Sequence, residues 1–336
     1  MKALVTGGGG FLGSAIVRLL LEKGWSVRVT GRNDYPELQK QGVECIRADV
    51  ADAVAMERAV SDMDVVFHVA ALAGIWGRHQ DFYNTNVIGT KNIIDACLKK
   101  GVKRLVYTSS PSVVFDGNNM ENGDETAPYP RHYHSSYPET KATAEIMVLS
   151  HNGRSGLMSC ALRPHLIWGP GDNHLIPRFL QRARSNALRI VGDGKNLVDT
   201  VYVDNAAQAH LLAAERLVEG SAVCGSAYFI SNGEPIPLFE WINRFVSASG
   251  QRAVTKKIPA SVAYFAGACF EFIYRLFRIR KEPRMTRFLA KELSTAHWFN
   301  LEKARRDLGY NPEISNEEGF RRTFESEYFK KLCQDI

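Results

Sequence analysis

Tyr137 and Lys141 stand four residues apart in the helix-like run Tyr137–Ser150, so a phenol and an ammonium share one helical face. Of the twelve tyrosines, this is the only one followed by lysine at that spacing. A free phenol titrates near pH 10 and exchanges protons poorly at neutrality. A neighbouring ammonium would bring it into an acid/base range. A solvent-exposed Tyr/Lys pair is the alternative reading. The stretch Tyr107-Thr108-Ser109-Ser110-Pro111-Ser112 tips the balance, because it places hydroxyls at the end of a strand-like run, where open α/β sheets bind ligands.

A second constellation lies at the N-terminus. Gly7-x-x-Gly10-x-x-Gly13 directly follows an apolar strand-like run and opens a helix-like one. Glycines let the backbone turn sharply against a pyrophosphate, and the helix N-terminus supplies N–H donors. At the end of the next strand-like run, Gly31 leaves room and Arg32 offers a planar cation for a ribose 2′-phosphate. NADP(H) is therefore expected over NAD(H), although Asp34 is near enough to accept from a free 2′-hydroxyl. Asp49 follows the third run and could meet the adenine edge or merely begin a helix.

The elements that must hold these groups alternate. Ala3–Thr6, Ser26–Thr30, Val43–Ile46, Val65–His68, Arg104–Thr108 and Met158–Leu162 read as strands. Phe11–Lys23, Val54–Ser61, Phe82–Lys99 and Tyr137–Ser150 read as helices. Nearly all-apolar strands separated by helices imply an α/β fold with a doubly wound parallel sheet and a second, smaller substrate lobe. The dinucleotide-binding part is expected over 1–163, with a return to the sheet near 198–217, where Val198–Val203 reads as a strand. Residues 164–336 would mainly form the substrate lobe and C-terminal helices.

Composition narrows the function further. The 336 residues are 45% hydrophobic and 23% charged, which excludes a disordered or fibrous chain. Six scattered cysteines show no metal-ligand spacing and read as buried free thiols. No uncharged run reaches the roughly 18 apolar residues of a membrane span, and no apolar leader precedes the glycines. A cytoplasmic location is expected. The net charge of +6 lacks any basic–aromatic module, so nucleic acid is not an expected partner.

The chain resembles the extended short-chain dehydrogenase/reductase family, within the epimerase/dehydratase superfamily, over essentially its whole length. The glycine turn, Asp49, His68-Val69-Ala70-Ala71, Asn86-Val87-x-Gly89-Thr90, Ser109-Ser110, Tyr137-x-x-x-Lys141, Leu162-Arg163-Pro164 and the tail Lys303-Ala304-x-x-x-Leu308-Gly309-Tyr310 fall in the family's order. The resemblance implies a Rossmann fold with Tyr137 as acid/base. Lys141 would bind the ribose and tune Tyr137, while Ser110 (with Ser109 and Ser112 as close competitors) would orient the reacting oxygen. Asn86 would belong to the proton relay. It also implies dinucleotide contacts from Gly7, Gly10, Phe11, Leu12, Gly13, Arg32, Asp49, Val50, Ala70, Lys141 and Pro164, no metal, and a homo-oligomer, a dimer.

Within that family, Gly194-Lys195-Asn196-Leu197-Val198-Asp199 and Ile167-Trp168-Gly169-Pro170-Gly171-Asp172 resemble the 3β-hydroxysteroid dehydrogenase branch. No arginine stands near Val198 to clamp a nucleotide-sugar diphosphate. The resemblance runs closest to bacterial 2-alkyl-3-oxoalkanoate reductases of olefin biosynthesis. It implies reduction of a long-chain 2-alkyl-3-oxo acid, with His165 and Arg178 as candidate carboxylate contacts. A 3β-hydroxysteroid or sterol-4α-carboxylate dehydrogenase is the second reading, a dinucleotide-sensing binding module a third, and a nucleotide-sugar epimerase a fourth.

From Val262 to Phe277, apolar residues at 262, 265, 266, 269, 273 and 276 mark one helical face, suited to a packed core, a greasy substrate entrance or a membrane surface. Seven basic residues follow between 275 and 291, opposed within that stretch by Glu282 alone among residues before 292. The segment 262–291 is thus the candidate for peripheral lipid contact. The polar stretch Asp116–Ser136, with Glu125 and two prolines, is expected to act as an active-site lid.

Overall fold

The computed structural model describes residues 1–335. Seven strands form one parallel sheet: β1 (Lys2–Thr6), β2 (Ser26–Gly31), β3 (Glu44–Arg47), β4 (Val65–His68), β5 (Arg104–Thr108), β6 (Met158–Pro164) and β7 (Ala227–Ile230). Their spatial order is β7-β6-β5-β4-β1-β2-β3. Alternate residues of the central strands feed two cores. Val5, Phe67 and Val106 pack with helix α1 (Phe11–Glu22), whereas Leu4, Val66 and Leu105 face α3 (Ala53–Val60) and α4 (Gly89–Lys100). Burial on both faces is why the strands are nearly all apolar. The order reverses between β1 and β4, and a ligand crevice opens beyond the carboxyl ends of the strands at such a switch.

Between β2 and β3 lies the short helix α2 (Pro36–Lys40). The helix read as Phe82–Lys99 is composite: a turn at His79–Phe82, a π-helical turn at Tyr83–Ile88, then α4. Helix α5 (Ser136–Ser150) carries the Tyr/Lys pair across the sheet edge.

Beyond β6 follow α6 (Leu175–Arg184), α7 (Val203–Arg216), which packs on α1, α8 (Leu238–Ala248), α9 (Ala260–Leu276), α10 (Arg287–Ser294), three tail helices and short strands. Trp168, Trp241, Phe245 and Phe320 form an aromatic cluster among these later elements.

Three expectations are corrected here, and one left open is decided. Val198–Val203 is two strands in different sheets, Leu197–Val198 and Val201–Tyr202, and the return to the large sheet is β7. The break falls on two buried polar residues: Asp199 accepts from Phe299 N at 2.8 Å, and Thr200 accepts from Trp168 Nε1 at 3.0 Å. Asp116–Ser136 is strapped down. Met120–Gly123 pairs with His297–Phe299, Glu125 accepts from Phe229 N, and Tyr129 donates to buried Glu145. Of the six free cysteines only Cys97 and Cys160 are buried, and Cys269 is exposed. The apolar face of α9 is not core: the helix packs on α10 through Ala263, Gly267 and Glu271 and turns Val262, Phe265, Phe272, Ile273 and Leu276 outward.

Candidate active site

The turn after β1 is made by backbone touching backbone. Gly7 takes a left-handed φ of +67°, and a Cβ there would come within 3.0 Å of Ala70 Cα. On Gly13 a Cβ would collide with the Gly7 carbonyl. Gly10 caps α1 without a side chain, which leaves the first-turn N–H groups, including those of Phe11 and Leu12, facing the crevice. This cradle fits a dinucleotide pyrophosphate.

A buried chain of hydrogen bonds holds the cradle from beneath. Thr6 Oγ1 accepts from Val69 N and Ala70 N, both at 3.1 Å, and donates to His68 Nδ1 at 2.8 Å. His68 Nε2 lies 3.0 Å from Thr90 Oγ1, which donates to the Asn86 carbonyl at 2.6 Å. The carbonyl end fixes the direction: Thr90 must accept from His68, so the imidazole is neutral with its proton on Nε2. Burial pushes the His68 pKa down to about 3, in keeping with that state, with Lys141 adding to the shift. Sequence order alone placed His68 in a motif, but its partners become visible only in space.

At the other side of the switch, Lys141 Nζ donates to the Thr108 carbonyl at 2.6 Å and sits 4.1 Å from the Tyr107 ring centre. Burial lowers its pKa to about 7, against an opposing pull from Glu145. Tyr137 is half-buried. Burial raises its phenol above the ordinary value, and a hydrogen bond from the Ser110 side acts to lower it. Of the three candidate hydroxyls, only Ser110 bears on Tyr137. Ser109 Oγ is buried without a partner, and Ser112 Oγ lies 2.9 Å from Ser110 Oγ.

Asn86 is a brace. Its Oδ1 accepts from Leu72 N at 2.7 Å, and its Nδ2 donates to Leu72 O and to Thr140 Oγ1 at 3.1 and 3.0 Å. It ties the loop after β4 to α5 one residue before Lys141. Val50 is buried and supports Gly89, whose Cβ would lie 2.6 Å from Val50 Cγ2. Asp49 is exposed and accepts from Ala51 N, and Pro164 ends β6. Arg32 is exposed, with no ion pair among the described residues, whereas Asp34 lies 3.5 Å from Arg47.

The two candidate carboxylate contacts fare differently. Arg178 is paired with Glu282, which Arg182 also approaches at 3.4 Å, so its charge is already answered. His165 is buried after β6, its Nε2 2.7 Å from His297 Nδ1, and His297 Nε2 donates to the Glu292 carbonyl at 2.9 Å. That contact engages His165 Nε2, and its Nδ1 makes no hydrogen bond among the described residues. Burial, with the neighbouring His297, holds the His165 pKa well below its ordinary value. It is a buried neutral polar group with Nε2 engaged by His297.

The sequence profile of the 3-beta hydroxysteroid dehydrogenase/isomerase family matches residues 4–259. A 2-alkyl-3-oxoalkanoate reductase of Stenotrophomonas maltophilia is 52% identical over 324 residues, spanning 96% of this chain and 98% of that protein. A 3beta-hydroxysteroid-dehydrogenase/decarboxylase (isoform 1) of Arabidopsis thaliana is 38% identical, spanning 96% and 79%. Among solved structures, MoeE5 in complex with UDP-glucose and NAD superposes with a TM-score of 0.74 at 26% identity, covering 99% of this chain and 100% of that one.

Proposed function

The chain belongs to the 3-beta hydroxysteroid dehydrogenase/isomerase family, and from that premise we propose that it is an NAD(P)H-dependent reductase converting the ketone of a long-chain 2-alkyl-3-oxo acid to the 3-hydroxy acid. The observation that carries this reading is the Tyr137/Lys141 pair on α5, with Lys141 anchored to the carbonyl at the end of β5, two residues before Ser110. The bound dinucleotide supplies the hydride. Ser110 holds the substrate oxygen, Tyr137 gives it a proton as it becomes an alkoxide, and Lys141 stands by to engage the ribose. A dry, closed site would protect a β-oxo acid from decarboxylation. A sensing module has no need of these three groups together. The relative at 52% identity, matched end to end, favours the oxo-acid over the sterol reading.

Residues 1–163, joined by α7 and β7, form the cofactor body in this reading, and the rest forms the substrate lobe. Gly31 and the unpaired Arg32 favour NADP(H), so NADPH should raise the unfolding temperature more than NADH does. The decisive assay is NADPH oxidation with 2-alkyl-3-oxo acids, ketosteroids and nucleotide sugars in parallel. Selective turnover of the first class is expected, and selective turnover of either other class overturns the substrate reading.

An anionic bilayer surface is the proposed site of substrate pickup. Phe265, Phe272 and Phe277 are 71%, 68% and 69% exposed on and just beyond α9. The charge around them is patterned. Glu271 takes Arg287 at 2.8 Å and Arg275 at 3.7 Å, and Glu282 is taken by Arg178 and Arg182. Arg278, Arg280, Lys281 and Arg284 have no ion pair among the described residues, and the first three closely follow the apolar stripe. Aromatic side chains beside unpaired cations suit the headgroup boundary of anionic lipid. No helix of the described residues is long and apolar enough to cross a membrane.

A further inference from the structure

The run Gly7–Gly10 holds two glycines more than phosphate-binding spacing demands, Gly8 and Gly9. Neither they nor Gly31 adopts the left-handed backbone that Gly7 does. The reason is space. A Cβ on Gly8 would run into the Val29 side chain, one on Gly9 would fall inside the Tyr35 ring, and one on Gly31 would overlap Tyr35 Oη. Tyr35 thus lies across both the glycine turn and the end of β2, its ring on one glycine and its hydroxyl on the other. Its backbone is fixed as the residue preceding Pro36, with its carbonyl accepting from Leu38 N and Gln39 N at 3.1 Å each.

Its hydroxyl makes no hydrogen bond among the described residues. Arg32, one residue beyond Gly31, is equally without a partner, and the nearby acid Asp34 is drawn toward Arg47. A ribose seated between the glycine turn and the end of β2 therefore meets an aromatic wall and two uncommitted donors, one cationic and one neutral. We propose that Tyr35 is a cofactor-selectivity residue, its phenol donating to a phosphate on the 2′-oxygen while its ring walls the ribose. The inference rests on the NADP(H) reading, and it explains why Gly9 and Gly31 carry no side chain.

Calorimetric titration of the full chain with 2′,5′-ADP and 5′-AMP isolates this seat from turnover. Wild type should bind 2′,5′-ADP more tightly. Tyr35→Phe should keep 5′-AMP affinity and lose about tenfold toward 2′,5′-ADP, as expected for one hydrogen bond to a charged group. Gly9→Ala, which displaces the ring, should lower the same ratio while far-ultraviolet dichroism stays at the wild-type value. Equal binding of both nucleotides by wild type overturns the NADP(H) reading itself. A wild-type preference that survives unchanged in Tyr35→Phe overturns the role given to the phenol.

Discussion

Lys141 reaches the backbone carbonyl of Thr108 at 2.6 Å, so its ammonium is held by the end of the strand that leads into Ser110. Thr108 is itself fixed, its hydroxyl 2.8 Å from His210 Nε2, while His210 Nδ1 donates to the Ala206 carbonyl. The catalytic edge and α7 are joined through these groups before any ligand arrives.

Burial lowers the Lys141 pKa to about 7, well below the value the unfolded chain would show. Between those two values the unfolded state binds more protons, so stability rises with pH. The contribution is fully present above the unfolded pKa and is lost as pH falls through about 7. Cofactor-free wild type should gain unfolding temperature relative to Lys141→Met as pH increases from 6.5 to 9. A difference that stays flat across that range would show that the ammonium is not desolvated.

Tyr137→Phe removes only the phenolic oxygen from a half-buried ring. Ketone reduction should fall about 10²–10⁴-fold, the usual worth of a positioned proton donor. NADPH affinity, read by fluorescence titration, should stay within about twofold. A variant that turns over near the wild-type rate rules out the acid/base role.

Arg163 and Glu145 form an ion pair with both side chains buried, Glu145 also accepting from Tyr129 at 2.6 Å. Glu145→Gln strands the guanidinium in the interior and should destabilise the fold by about 3–5 kcal/mol, measured by urea denaturation. Because Tyr129 loses its anionic acceptor, the strap Asp116–Ser136 should also become more protease-sensitive. Unchanged stability would mean that water reaches Arg163.

The sheet was legible because burial on two faces writes itself as continuous apolar runs, as in Val65–His68. The glycine turn was legible because Gly7 and Gly13 are demanded by backbone contact. Residue type does not encode who claims a hydrogen bond. The partner of Arg178 is Glu282, 104 positions away, and that of His165 is His297, 132 positions away, separations that no local pattern records. Periodicity marked the apolar face of α9 but could not tell inside from outside. That was decided by the opposite face, where Gly267 lets α10 approach so closely that a Cβ would lie 2.6 Å from Thr286 C.

That outward face gives a direct measurement. Liposomes containing anionic lipid should co-sediment the protein at low salt, and neutral liposomes should do so less. Replacing Arg278, Arg280, Lys281 and Arg284 with glutamine should weaken capture by about 1 kcal/mol per residue and flatten its salt dependence. Phe265→Ser with Phe272→Ser should weaken capture at every salt concentration, because burial of apolar area is not screened. Light scattering separates the competing occupant, a second copy of this chain. A dimer that dissociates in the double-serine variant, with no liposome capture of wild type, assigns the face to self-association and removes the bilayer from the account.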